Sequence, residues 1–327
     1  MGKKRSSLVR AAFSAVVLAM TMLLLSGCGN YMVLDPKGPI AQKQLDLIGI
    51  TVLLCSIIIV PVLIITFIIV WRYRASNKKA DYKPEWAHNN LLETIWWGIP
   101  IVIIAILAVI TIRYTHELEP SKTLAAESEK EVVIQVASLD WKWLFMYPEE
   151  GIATINTITI PEDRSVRFEL TSDAPMNSFW IPELGGQIYT MSGMSMALHL
   201  KADEPGDYFG TAANFSGEYF ANMTFDVHAT TEADYEKWVA DAKNSSDTLT
   251  DEGYQELAKP SADNEQLVYA SFPEGLYERI VTKYMHDGAE LHEHGSASSD
   301  EEGKQSADAG AASTEAEGHD SSSHTGH

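Results

Sequence analysis

Two long apolar runs dominate the first third of the chain. Residues 45–71 carry no charge after Asp46, and residues 95–112 carry none at all. Each can cross a hydrocarbon core about 30 Å thick as a helix, so residues 45–112 are predicted to form a transmembrane hairpin. A third run, Phe13 to Leu25, is shorter. It follows Lys3, Lys4, Arg5 and Arg10 and ends in Leu25-Ser26-Gly27 before Cys28. A basic start, a short apolar core and small residues before a cut describe a secretory signal over residues 1–27; an uncleaved first anchor is the alternative.

Beyond the hairpin the apolar positions recur in short β-rich runs: residues 132–136, 141–147, 153–160, 166–171, 196–200, 208–211 and 223–227. Clusters such as Pro161-Glu162-Asp163, Gly185-Gly186 and Glu204-Pro205-Gly206-Asp207 separate them. Ile158, Ile160, Val166 and Phe168 alternate with polar neighbours, the period of a half-buried strand. Strands of this length and spacing predict an antiparallel β-sandwich over residues 113–229. After His228 the period lengthens, and Thr231-Glu232-Ala233-Asp234 offers a cap and early acids for a helix. Tyr254, Tyr269, Phe272, Tyr277 and Tyr284 mark an aromatic-rich helical extension over residues 230–285, read as packing on the sandwich. The fold class expected is a membrane-anchored α+β protein.

Charge fixes the orientation. Arg72, Arg74, Lys78, Lys79 and Lys83 directly follow the first run, and such a cluster stays on the cytoplasmic side. Trp71, Trp96 and Trp97 sit at the same ends, where indole favours the headgroup layer. The domain after about Arg113 therefore lies outside, as does Cys28. The chain as a whole, 327 residues at a net charge of −21, lacks the clustered cations that grip phosphate backbones, which excludes nucleic acid as a partner. Residues 286–327 have one cation, Lys304, among many acids, and predict a disordered tail. His286, His292, His294, His319, His324 and His327 fall there; a His-rich tract can hold Zn, Cu or Ni, but this spacing fixes no coordination geometry, so the tail is read as solvated with at most adventitious metal affinity.

The order of these features resembles subunit II of the haem-copper respiratory oxidases. The likeness rests on Leu25-Ser26-Gly27-Cys28, the hairpin, Asp140-Trp141-Lys142-Trp143, Tyr147-Pro148-Glu149-Glu150-Gly151-Ile152 and Met176-Asn177-Ser178-Phe179-Trp180-Ile181-Pro182-Glu183-Leu184-Gly185. These motifs are most similar to the quinol-oxidising branch, and the likeness runs from about Cys28 to Met285. It implies a cupredoxin-like outer domain, a lipid on Cys28 ahead of a lipidated segment over residues 28–44, and a bacterial plasma-membrane complex that reduces oxygen to water and pumps protons. The implied partners are membrane lipid, a haem-bearing subunit I that binds the quinol and holds haems and copper, and smaller subunits. It also implies that Glu93, which by position alone suits a helix N-terminus, lies at the mouth of a proton-uptake path.

Copper-bearing relatives in this resemblance carry a His before Ser-Trp and then Cys-x-Glu-x-Cys-Gly-x-x-His-x-x-Met. Here the first His is Asn177, and the later positions read Ala212, Asn214, Ser216, Phe220 and Met223. Thiolates bind and couple copper in such sites, and a neutral hydroxyl does not replace them. The chain has two cysteines, Cys28 and Cys55, neither in the outer domain. No cofactor or metal is therefore expected in this chain. Asn177 and Ser216 read as polar fillers, Phe220 as volume, Trp141 and Trp143 as sandwich packing, and Met191, Met194 and Met196 as loop packing. The reading is a non-redox subunit of a quinol:oxygen oxidoreductase. A cytochrome c oxidase subunit and a free-standing metal-buffering lipoprotein are the alternatives.

Overall fold

The structure, a computed structural model, describes residues 31–78, 88–126, 130–262 and 265–285. Two long helices come first, α1 (Pro39–Arg72) and α2 (Asn90–Glu117). The apolar run predicts a start near Leu45, but α1 begins a turn and a half earlier. Pro39 occupies its first position, where the missing N–H costs nothing. At 34 residues α1 is roughly 51 Å long, more than a hydrocarbon core needs, so it projects beyond the bilayer. Both helices leave their apolar side chains facing outward. Hydroxyls inside the spans turn back onto their own backbone, Ser56 to the Val52 carbonyl at 2.7 Å and Thr66 to that of Val62 at 2.7 Å, as lipid requires. The helices run antiparallel, and Lys43 of α1 meets Glu117 of α2 at 3.4 Å.

The outer domain is a sandwich of two sheets. The first has the order β11-β3-β2-β1-β5-β8 and the second β4-β10-β9-β6-β7. The strands are β1 (Val132–Leu139), β2 (Lys142–Tyr147), β3 (Ile152–Ile155), β4 (Thr157–Pro161), β5 (Val166–Ser172), β6 (Asn177–Trp180), β7 (Ile188–Thr190), β8 (Met196–Leu200), β9 (Gly206–Ala212), β10 (Thr224–Thr230) and β11 (Leu267–Tyr269). The expected sandwich is present; most pairings are antiparallel, while β1–β5 and β4–β10 are parallel. Three short helices follow β10 in the chain: α3 (Glu232–Lys243), α4 (Asp251–Leu257) and α5 (Leu276–Thr282). Thr231 caps α3 as its sequence predicts, its side chain accepting from the Asp234 N–H.

Two sequence expectations change. Residues 153–160 read as one strand, but the chain breaks at Asn156 (φ 54°) and passes from the first sheet to the second. An asparagine tolerates this left-handed geometry, and its side chain is used: Asn156 Oδ1 accepts from the Trp143 N–H at 2.9 Å. Residues 230–285 are also more than a helical extension, since β11 pairs with β3 and completes the first sheet.

The alternation along β2 explains why all six of its residues are buried. Trp143, Phe145 and Tyr147 face between the sheets with Phe168, Phe179 and Phe225. Leu144 and Met146 face the other way, against Tyr254, Leu276, Tyr277 and Ile280 of the extension. Period two thus feeds two cores from one strand. The sandwich is fixed to the hairpin at both ends. The Lys37 and Ala41 N–H groups donate to the Glu183 and Leu184 carbonyls at 2.7 and 3.2 Å, and the His199 N–H donates to the Pro120 carbonyl at 3.0 Å. A Cβ on Gly38 would meet the Lys201 carbonyl oxygen at 2.3 Å, so only glycine allows the approach.

Candidate functional site

The positions singled out in the outer domain converge where β6 begins and β9 ends. β6 and β9 pair with Phe179 opposite Ala212, which sets the start of β6 beside the residues after Ala212. Ala213 N–H donates to the Ser178 carbonyl at 3.0 Å and Ala212 N–H to the Met223 carbonyl at 2.9 Å, closing residues 213–222 into a loop. Asn214 fastens it to the β5–β6 connection by donating to the Met176 carbonyl at 3.0 Å. A short 3-10 turn, Phe220–Asn222, then leads into β10.

Trp141 closes this loop from the β1–β2 turn, at a φ of 62°. Its ring meets Tyr219 edge-on at 5.1 Å. Gly217 lies beneath it at φ 121°, and a Cβ there would sit 3.0 Å from the indole. Conformation and space both demand glycine. Trp143 packs as expected, with its ring edge-on to Phe179 at 5.5 Å and Phe225 at 5.7 Å.

The chemistry of the six positions follows from their side chains, with the Asn214 amide already engaged by the Met176 carbonyl. Asn177 is buried and its Nδ2 donates to the Pro175 carbonyl at 3.3 Å. Ala212 contributes a methyl group to the main core and Phe220 a ring packed against it. Met223 is fully buried in that core. Ser216 offers a hydroxyl. At the four positions where two thiolates and two imidazoles would be needed stand one methyl group, one hydroxyl, one amide and one phenyl ring. Asn177 Oδ1, Ser178 Oγ, Ser216 Oγ and Trp141 Nε1 are buried without a protein partner, the condition of polar groups completed by ordered water. Around them Met176, Tyr219 and Phe215 are exposed, Phe215 at 77%.

The other sequence candidates lie elsewhere. Glu93 is in the first turn of α2. Asn89 caps that helix, accepting from the Leu92 N–H at 3.0 Å, and Glu93 Oε1 accepts from the Asn89 N–H at 3.4 Å while lying 3.3 Å from His88 Nδ1. Cys55 is within α1. Met191 and Met196 are part-buried and Met194 exposed in and beside the β7–β8 connection. The signal expected over residues 1–27, together with Cys28, Lys79, Lys83 and residues 286–327, lies outside the described residues.

One cluster escaped the sequence reading. Asp173, whose side chain is fully buried, accepts from the Tyr254 hydroxyl, from Lys283 Nζ at 2.6 Å and from the Tyr284 hydroxyl at 2.6 Å. Three donors from the extension thus meet one carboxylate at the end of β5. Burial raises the Tyr254 phenol well above its ordinary range, and its bond to Asp173 adds to the shift. Burial likewise raises Tyr147, Tyr235 and Tyr277. Asp140 is also raised, first by burial; Lys142 opposes the shift and the Asp173 charge supports it. An isolated Asp carries no sequence signal for such a role; only its location opposite an aromatic-rich segment reveals it.

Comparison with known proteins agrees with this layout. Residues 29–114 match the family model for the cytochrome c oxidase subunit II transmembrane domain, residues 149–230 the one for its periplasmic domain, and residues 243–288 the COX aromatic rich motif. The chain is 47% identical over 274 residues to cytochrome bo(3) ubiquinol oxidase subunit 2 of Pseudomonas putida, covering 83% of this chain and 87% of that protein. It is 46% identical over 251 residues to quinol oxidase subunit 2 of Bacillus anthracis, covering 75% of this chain and 85% of the relative. The crystal structure of the periplasmic domain of cytochrome oxidase subunit II from Bradyrhizobium japonicum overlays at a TM-score of 0.35 and 19% identity, covering 36% of this chain and 98% of that one. High identity extending through hairpin, sandwich and extension leaves one assignment: the chain belongs to the subunit II family of the quinol oxidases.

Proposed function

We propose that the chain is the non-redox subunit II of a proton-pumping quinol:oxygen oxidoreductase, in which electrons pass from membrane quinol to haems and copper in the large subunit without visiting the outer domain. The observation that carries this is the donor set at the end of β6 and β9. Ala212, Ser216, Asn177 and Phe220 supply no thiolate and no imidazole, and Met223 is enclosed in the core. A binuclear copper centre does not fit these residues, so the site is a degenerate one and no electron-transfer step runs through it.

The chain's own contribution is then mechanical. Its hairpin presents apolar faces to the bilayer and the large subunit, and its sandwich, bonded to both ends of the hairpin, caps the complex on the outer side. A diacylglycerol on Cys28 would add a second attachment on that same face. Glu93 is the one carboxylate of the chain proposed to meet the proton path, from the cytoplasmic end of α2. The purified complex tests the reading: it should consume oxygen with a quinol and not with reduced cytochrome c. Turnover with cytochrome c alone would reject it.

A further inference from the structure

We infer that the cytoplasmic end of α1 carries a binding site for an anionic phospholipid, formed by an apolar pocket with a cation on its rim. Phe67, Ile68, Trp71, Arg72 and Asn77 line a pocket of about 450 Å³. This is of a size that takes a headgroup and the first carbons of its acyl chains. Its walls follow from helical spacing, since Phe67, Ile68 and Trp71 share a face, with the Phe67 and Trp71 rings 6.1 Å apart and tilted by only 27°.

The rim is polar for local reasons. After Arg72 the chain turns: the Tyr73 N–H closes the helix on the Ile69 carbonyl at 2.9 Å and the Asn77 N–H donates to the Arg74 carbonyl at 2.9 Å. Asn77 Nδ2 also donates to the Arg72 carbonyl at 2.6 Å, folding the turn over the pocket mouth. Arg74 is held in place, its guanidinium 4.6 Å above the Trp71 ring and its Nε donating to Ser76 at 3.0 Å. Arg72 enters no ion pair among the described residues, so its charge is available at the mouth.

Charge complementarity selects the occupant. Apolar walls with a free guanidinium at the headgroup layer suit a phosphodiester on two acyl chains, whereas a neutral ring compound would leave the cation unused. Arginine rather than lysine also suits the contact, because its planar fork can bond two phosphate oxygens at once.

Photolabelling of the whole oxidase complex in membranes tests the site. The probes are phosphatidylglycerol and phosphatidylcholine bearing the same diazirine in an acyl chain, with labelled residues mapped by mass spectrometry. The expected result is labelling at Phe67, Ile68 or Trp71 that is at least about fivefold stronger with phosphatidylglycerol, the effect of one cation near a charged leaflet. Arg72→Gln should bring it down to the phosphatidylcholine level, and Lys78→Gln should leave it within twofold. Equal labelling by the two lipids, or none, would overturn the site, and this comparison needs no variant. Equal losses in Arg72→Gln and Lys78→Gln would also overturn it, by showing a diffuse basic surface instead of a pocket.

Discussion

Asp173 shows how much one side chain can carry in this molecule. It is buried, accepts from three donors and ties β5 to the last described residues of the extension. Asp173→Ala should destabilise the outer domain by about 1–3 kcal/mol, because Tyr254 is left buried without its acceptor; Lys283 and Tyr284 are partly exposed and can turn to water. Thermal unfolding and earlier proteolysis within residues 243–285 would read this loss. Tyr254→Phe should cost less, about 1 kcal/mol. The buried phenols give a pH prediction. Tyr147, Tyr235, Tyr254 and Tyr277 keep their protons in the folded state beyond the ordinary phenol range, whereas the unfolded chain releases them near pH 10. Their contribution is therefore complete below about pH 10 and is lost as the pH rises above it. Denaturant midpoints measured from pH 8 to 11 should fall only at the alkaline end. At Glu93 the prediction concerns turnover: Glu93→Ala should slow oxygen consumption while the complex assembles, and Asn89→Ala, which removes only the cap, should not. Unchanged turnover in Glu93→Ala would confine that carboxylate to capping. The place of Glu93 in the first turn of α2 was legible from the apolar run that follows it; the Asp173 cluster was not, since Tyr254, Lys283 and Tyr284 lie 81, 110 and 111 residues from Asp173.

At the scale of elements, the apolar runs found the strands of five residues or more and missed the shortest ones. Residues 196–200 match β8 and residues 166–171 nearly match β5, whose inward Val166, Phe168 and Leu170 are separated by part-exposed Arg167 and Glu169. β6 and β7 are four and three residues long and gave too little pattern to read. β11 lay hidden in a segment whose aromatics suggested helix. The break at Asn156 was concealed because polar and apolar residues alternate on both sides of it, and the adjacent pair Asn156-Thr157 shifts that alternation by a single residue. Sheet packing supplies a stringent prediction at Gly210. It stands opposite Phe225 on β10, and a Cβ there would lie 2.1 Å from that ring. Phe225 is itself held by Trp143, Phe145 and Phe179, so it cannot swing aside. Gly210→Ala should destabilise the sandwich by about 1–3 kcal/mol through overpacking, read by thermal denaturation.

For the whole molecule, the division into hairpin, sandwich and extension was visible in composition, because lipid and water impose opposite requirements on side chains. What composition could not show is that the parts are bonded together. The first turns of α1 dock on the Glu183–Leu184 turn, the end of α2 reaches β8 through Pro120, and the extension completes a sheet and supplies a second core. The sandwich therefore stands at a fixed place over the hairpin, although its own site lacks thiolate and imidazole. The most direct test is the copper content and near-infrared spectrum of the purified complex during quinol turnover. Full quinol-driven oxygen consumption is expected, with no near-infrared band and no copper assignable to the outer domain. A near-infrared copper band accompanied by two coppers in that domain would contradict this expectation.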